Sequence, residues 1–277
     1  KIEKISINLK LDKNLNISDY KVNGSVKKVN VKISKDLLIK DVSFNFISDK
    51  NLTLINSISA NYQGISISNG SIKLQKNKEI EIDGKFNSQF NLNEDVTSKL
   101  FAKSNIKFFE KNRINAQGSL LHSFTLKIDK NFKLIDYDYK LRGNILESQI
   151  ILKDSFKSNF IEKPIDKILI SKINLKINLN KENKNLLMLD GLYNLGGLEN
   201  KKFKITHDLN KKNPKSSFNF DLAENIFLEL INFKADHKNN SNIKSEIYFI
   251  DSNIIFKNIN FTEGKNYISI NELKLNK

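Results

Sequence analysis

Few residues in this chain are equipped for chemistry. There are three histidines, His122, His207 and His237, and no cysteine. None of the histidines stands at metal-ligand spacing from a second His, so each is expected in a surface or turn position. The absence of Cys removes disulfides, thiolate metal sites and thiol nucleophiles. Ser119 and Ser123 flank His122 without the sharp strand-to-helix turn that exposes a nucleophilic serine. Asp136 and Asp138 share one face of a strand, as a carboxylate pair would. Their alternation with Tyr137 and Tyr139 reads instead as the wet side of that strand. Gly196-Gly197 lacks the lysine and helix of a phosphate loop. Phe218 and Phe220 stand near Lys211, Lys212 and Lys215, an aromatic and basic mixture that suits single-stranded nucleic acid. They alternate with Asn219, so the core side of a strand is the better reading. Asn69-Gly70-Ser71 matches a glycosylation sequon, as chance matches do in so Asn-rich a chain. The chain is therefore expected to be non-enzymatic, with no catalytic residue, metal or cofactor.

What must position these residues is a single repeated pattern. In Ile173–Leu179, Ile173, Leu175, Ile177 and Leu179 alternate with Asn174, Lys176 and Asn178. Strand side chains alternate between faces, so this is a strand with one apolar and one polar side. The pattern recurs from Ile5-Ser6-Ile7-Asn8-Leu9 to Leu273-Lys274-Leu275 and includes Ile106 and Phe108. Asn69-Gly70 between two alternating runs signals a tight hairpin. Gly143 reads as a break between strands. Residues 93–104 interrupt the rhythm: Asn93 is placed to cap a short helix with Val96 and Leu100 on one face. Residues 155–166, with Pro164, form a second interruption, and Ala223 to Phe233 fits strand or helix. No repeat of strict period is present.

Across 277 residues, 39% are apolar and 28% charged, while glycine (10) and proline (2) are scarce. Turns must then rest on Asn, Asp, Lys and Ser. The net charge of +15 suits anionic partners, but solubility and compositional bias are the better account of it. The lysines are spread through the alternating words, which argues against nucleic acid. The chain starts at Lys1 with no leader and no long apolar run. It is expected to be a piece of a longer protein whose anchor lies outside it.

The pattern predicts an all-β fold built from about 20 antiparallel strands, with one or two short helices. A sheet of more than ~10 strands curls, splits or flattens. With no long helix to cover the apolar side, it becomes an open groove or closes as a sandwich. Residues 1–277 are expected to form one elongated β-groove segment, with a soft boundary near 93–104.

Three stretches carry a resemblance: Ile65-Ser66-Ile67-Ser68-Asn69-Gly70-Ser71-Ile72-Lys73-Leu74, Leu187-Met188-Leu189-Asp190-Gly191 and Ile254-Ile255-Phe256-Lys257-Asn258-Ile259-Asn260-Phe261. They resemble the β-repeats of the AsmA-like family, the YhdP and TamB type of bacterial envelope protein. The resemblance implies a long, curled, mostly antiparallel sheet forming an open β-taco groove. It implies residence in the periplasm, with anchorage in the inner membrane through segments outside this chain, and passage of phospholipid between inner and outer membranes. No nucleic-acid partner is implied. The implied lipid-contact residues are Val42, Phe44, Phe46, Ile65, Ile67, Ile72, Leu74, Ile80, Ile82, Phe124, Leu126, Ile128, Ile173, Leu175, Ile177, Leu179, Phe218 and Phe220. The alternative is a structural or adhesive cell-surface protein, a β-sandwich or β-solenoid with a self-filled core.

Overall fold

The computed structural model describes residues 2–34, 37–101, 112–157, 159, 161, 163–182, 184–197, 199–210, 214–223, 225–228, 232–236, 239–250 and 253–276. His237, Lys211, Lys212, Leu230, Ile106 and Phe108 lie outside these residues.

The protein is all-β. The strands are β1 (Ile2–Leu11), β2 (Ile17–Ser34), β3 (Leu37–Asp49), β4 (Leu52–Tyr62), β5 (Ile65–Lys76), β6 (Ile80–Leu92), β7 (Arg113–Ile128), β8 (Leu134–Phe156) and β9 (Ile165–Asn180). They continue with β10 (Leu186–Asn194), β11 (Lys201–Asp208), β12 (Lys215–Asp221), β13 (Ile226–Leu228), β14 (Phe233–Ala235), β15 (Asn242–Ile250), β16 (Asn253–Glu263) and β17 (Asn266–Asn276). Fifteen of them form one antiparallel sheet in chain order, from β1 to β12 and then β15 to β17. The order does not return on itself, so the sheet is open, with edges at β1 and β17. The strands are fewer and longer than the pattern predicts. Gly143 does not divide β8, which runs unbroken for 23 residues.

One helix is described, α1 (Glu94–Phe101). Asn93 caps it: its Oδ1 accepts the Val96 N–H at 3.0 Å, satisfying one of the orphan donors of the first turn. Glu94 and Asp95 add negative charge where the helix dipole favours it.

Contacts divide the chain into two compact units. The first comprises Lys1–Asn91, Ser119–Arg142 and Asn178–Glu182; the second comprises Leu92–Gly118, Gly143–Ile177 and Asn183–Lys277.

In the first unit the register lines apolar residues up across strands. One row runs Ile5, Gly24, Phe46, Ile55, Ile72, Gly84. The next runs Ile7, Val22, Ser48, Thr53, Leu74, Ile82. Cross-strand partners share a face, so this is the apolar face. The glycines hold rings over their backbone. A Cβ on Gly84 would stand 2.1 Å from the Phe124 ring, and one on Gly24 would stand 2.9 Å from the Phe46 ring.

Asn69-Gly70 is not a hairpin turn. It lies inside β5, with Asn69 left-handed at φ 52°, and the pairing shifts register on both sides of it. Lys28, Asp41 and Ser57 take the same conformation inside β2, β3 and β4. Four neighbouring strands thus each carry a bulge, and bulges bend a strand and raise its twist. The Asn-Gly pair is absorbed because β4 and β6 continue alongside both halves of β5. The tight turn falls instead at Gln63-Gly64, where both residues have positive φ (44° and 81°) between the paired Tyr62 and Ile65.

In the second unit the corresponding rows are Gly191, Phe203, Phe220, Ile243, Phe261, Ile268 and Leu187, His207, Ser216, Ile247, Phe256, Leu273. β13 and β14 pair as a small separate hairpin, so Ile226–Leu228 and Phe233 of the ambiguous stretch are strand. Phe233 of this hairpin meets Phe261 edge-on at 5.5 Å. Ala235 (0 % exposed), Leu222 and Phe261 form a closed core cluster there.

Candidate functional site: the apolar face of the sheet

The candidate site is the apolar face, taken in each unit by itself. In the first unit, the register pairs Phe46 with Ile55, Ile67 with Ala60, Ile72 with Ile55 and Leu74 with Ile82. Phe44 pairs with Val26 and Val42 with Val29. Ile65 pairs with Tyr62 on one side and Phe90 on the other, and Ile80 pairs with Lys76. Phe124 lies over Gly84, and alternation along β7 puts Leu126 and Ile128 on its side. Leu179 also belongs to this unit.

This face is open at its β1 edge, while Phe46, Ile55, Ile72 and Ile82 further in are half-buried. Every residue of β1 is exposed. Ile7 is 58 % exposed and Leu9 53 %, although both point to the apolar side. Packed sheets bury such side chains, and burial is worth about 1.5–3 kcal/mol each.

In the second unit, Ile173 (4 % exposed) packs below Gly191, where a Cβ would stand 3.1 Å from the Ile173 backbone. Leu175 and Ile177 continue on its side by alternation. Phe218 and Phe220 join Tyr193 and Phe203 in an aromatic cluster with centroid separations of 5.5 to 6.2 Å. Lys215 stands on the opposite face. Its Nζ is 2.6 Å from Glu246 Oε1, and the Tyr248 hydroxyl donates to Glu246 Oε2 at 2.9 Å. These bonds hold the Glu246 carboxyl below its usual range and the Lys215 ammonium above its own. Of the basic residues read with the aromatics in the sequence, Lys215 is therefore on the other side of the sheet from Phe218 and Phe220.

His122 departs from the expected surface or turn position. It lies within β7 on the apolar face of the first unit, half-buried and stacked on Phe86 at 4.2 Å. Nε2 shares a hydrogen bond with Ser88 Oγ at 2.8 Å, and Nδ1 shares one with the Tyr139 hydroxyl at 2.8 Å. Burial lowers the His122 pKa and raises that of Tyr139. A neutral imidazole has one donor and one acceptor, so two hydroxyls satisfy it fully. Ser88 and His122 have nucleophile–base geometry, but Ser88 is 4 % exposed and its Oγ is closed to substrate. The two bonds satisfy both ring nitrogens of a polar group set in a greasy surface. In the second unit His207 Nδ1 shares a hydrogen bond with Ser216 Oγ at 2.7 Å.

The polar face holds shallow depressions. One of about 380 Å³ in the first unit is lined by Lys73, Asp83, Lys85, Thr125, Asp138 and Lys140. Its charges are partly satisfied internally: Lys140 meets Asp138 at 3.1 Å and Thr125 donates to Asp83 at 2.7 Å. Among the described residues no group of three or more His, Asp or Glu is arranged to hold a metal ion. No described helix is long and apolar enough to cross a membrane.

Alternation passes over Leu15 and reads Phe132 with Leu134 as strand, whereas Phe132 lies in the turn before β8. The word Asp-Lys-Asn-apolar occurs three times, as Asp12-Lys13-Asn14-Leu15, Asp49-Lys50-Asn51-Leu52 and Asp129-Lys130-Asn131-Phe132. In each, the Asp Oδ1 accepts backbone N–H groups of its own turn at 2.8 to 2.9 Å. Leu52 folds in as the first residue of β4. Leu15 and Phe132 instead occupy the left-handed position of longer turns, at φ 62° and 60°, and are 79 % and 80 % exposed. Glycine is the residue that fits this position. A side chain there costs roughly 1–2 kcal/mol.

No protein-family model matches the chain, and neither a curated protein nor a solved structure matches it.

Proposed function

We propose that the chain is a non-enzymatic, lipid-conducting β-groove segment of an AsmA-like protein of the bacterial envelope. In this reading it lies in the periplasm, anchored in the inner membrane through segments outside this chain, and passes phospholipid between inner and outer membranes. The observation that carries the reading is the open apolar face: large aliphatic side chains such as Ile7 and Leu9 line one side of the sheet and meet solvent. Acyl chains laid against them would remove that surface from water. The contact is non-directional, so a chain slides along it over small barriers. Headgroups stay at the wet margin. The embedded Ser88–His122–Tyr139 trio is compatible with this use because both imidazole nitrogens are already hydrogen-bonded.

The test is extraction of the purified protein and mass spectrometry of what it carries. Phospholipid is expected to co-purify with the wild type and to be depleted by Ile7→Asp and Leu9→Asp with folding retained. Recovery of no lipid from well-folded wild-type protein overturns the reading. The alternative of a self-filled structural β-protein draws support from the closed cluster around Leu222, Ala235 and Phe261. It predicts that apolar face residues beyond that cluster tolerate Asp with no change in bound lipid.

A further inference from the structure

We infer that the turn-bearing end of the first unit's sheet docks on an anionic phospholipid bilayer, with Leu15 and Phe132 inserted at the headgroup boundary. Topology places the tips together. In an antiparallel sheet in chain order, the turns joining β1 to β2, β3 to β4, β5 to β6 and β7 to β8 all fall at one end. Those turns carry Lys13, Lys50, Lys76, Lys78, Lys130 and Lys133, all exposed. The same turns hold Asp12, Asp49, Glu79 and Asp129, leaving a surplus of two positive charges (six minus four). The three aspartates spend their carboxylates on backbone N–H groups of their own turns. The six lysines are exposed beside the tips. The Asn51 and Leu52 N–H groups hold the Asp49 carboxyl below its usual range, with Lys76 near enough to add to the effect.

Two observations select a membrane over a polymer. First, the most exposed large apolar residues of the unit, Leu15 and Phe132, occupy equivalent positions in two turns of the same build. Leu11, Ile17 and Leu134, which flank them, are exposed as well. Secondly, a modest charge surplus with apolar tips is the composition of an interfacial anchor, where buried apolar area and attraction to anionic lipid act together. Nucleic acid or an acidic protein would use the lysines and leave a left-handed Leu and Phe without a role. The inference concerns attachment and stands apart from whether the apolar face carries lipid.

The experiment is co-sedimentation of the full chain with vesicles of phosphatidylglycerol and phosphatidylethanolamine, against vesicles of phosphatidylcholine alone. Binding is expected to the anionic vesicles and to fall with salt. Leu15→Asn and Phe132→Asn together are expected to weaken it about tenfold or more. Asn suits the left-handed position better than either native residue, so this variant keeps the fold and its loss of binding reports the tips. Lys130→Ser with Lys133→Ser is expected to weaken binding by about fivefold per charge. The chain has no tryptophan, so Phe132→Trp supplies a single indole probe. Its emission is expected to shift to the blue on anionic vesicles and to be quenched by brominated acyl chains. Wild-type binding by the double Asn variant overturns the inference. So does a Phe132→Trp protein that binds the vesicles with its indole emission neither shifted nor quenched, and so does equal binding to neutral vesicles. Failure of lipid to co-purify, with vesicle binding intact, would overturn only the conducting role of the groove.

Discussion

His122 Nδ1 and the Tyr139 hydroxyl lie 2.8 Å apart on the apolar face of the first unit, joining β7 to β8 through side chains as well as backbone. Burial disfavours the imidazolium, so the folded-state pKa of His122 is below its ordinary value. The unfolded chain therefore binds the proton more readily. The stabilisation is fully present above about pH 6.5 and is lost as pH falls through the folded-state value. Urea midpoints for wild type should decline between about pH 7.5 and 5.5, the range that brackets an ordinary imidazole. His122→Gln should flatten that decline, and an unchanged slope would remove His122 as its source.

Gly84→Ala should destabilise the first unit by about 1–3 kcal/mol, as overpacking does. The added Cβ would meet the Phe124 ring at 2.1 Å, and both neighbours belong to long paired strands. Alanine ordinarily stabilises a strand relative to glycine by about 0.5–1 kcal/mol, so the sign of the effect tests the ring placement. Gly197→Ala, where nothing lies within 4 Å, should be close to neutral. Thermal melts of the two variants make the comparison.

Lys215 and Glu246 are both partly exposed, so their contact at 2.6 Å should be worth only about 0.5–1 kcal/mol in a double-mutant cycle. The pH dependence has two limbs. The lowered Glu246 pKa gives stability present above about 4.5 and lost as pH falls below it. The raised Lys215 pKa gives stability present below about 10.5 and lost as pH rises above it. Glu246→Gln should remove both limbs in denaturation curves across that range.

Ile173→Asp and Ile7→Asp should separate the packed and open parts of the apolar face. Ile173 is 4 % exposed beneath Gly191, so a carboxylate there should cost several kcal/mol or abolish folding. Ile7 is 58 % exposed, and its change should alter stability by less than about 1 kcal/mol. Circular dichroism and urea titration read both.

The strands were legible because a period of two needs no distant information: Ile173 to Leu179 states its faces by itself. The bulges were not legible. Lys28, Asp41 and Ser57 adopt positive φ with side chains that give no local sign of it, and only the pairing of neighbouring strands makes them bulge. Asn69-Gly70 gave a true local signal for a left-handed residue, which the sheet used inside a strand. The bonding of His122 to Ser88 and Tyr139 spans 34 and 17 residues, and no local pattern encodes such a meeting. The turn tips could have been found. Three copies of Asp-Lys-Asn-apolar stand in the sequence, and an apolar residue in a turn otherwise made of polar ones is a visible anomaly.

Strand order that follows chain order has a consequence for how the molecule assembles. From β1 to β12 each strand pairs only with those just before and after it in sequence. Loop closure for each pairing is therefore local, and low contact order favours rapid zippering from any hairpin that forms first. Hairpins can dock in turn as successive strands become available, without waiting for the C-terminal strands. The steps from β6 to β7 and from β12 to β15 each bridge 20 residues, the first carrying α1 and the second β13 and β14, so those two junctions are where the growing sheet would pause.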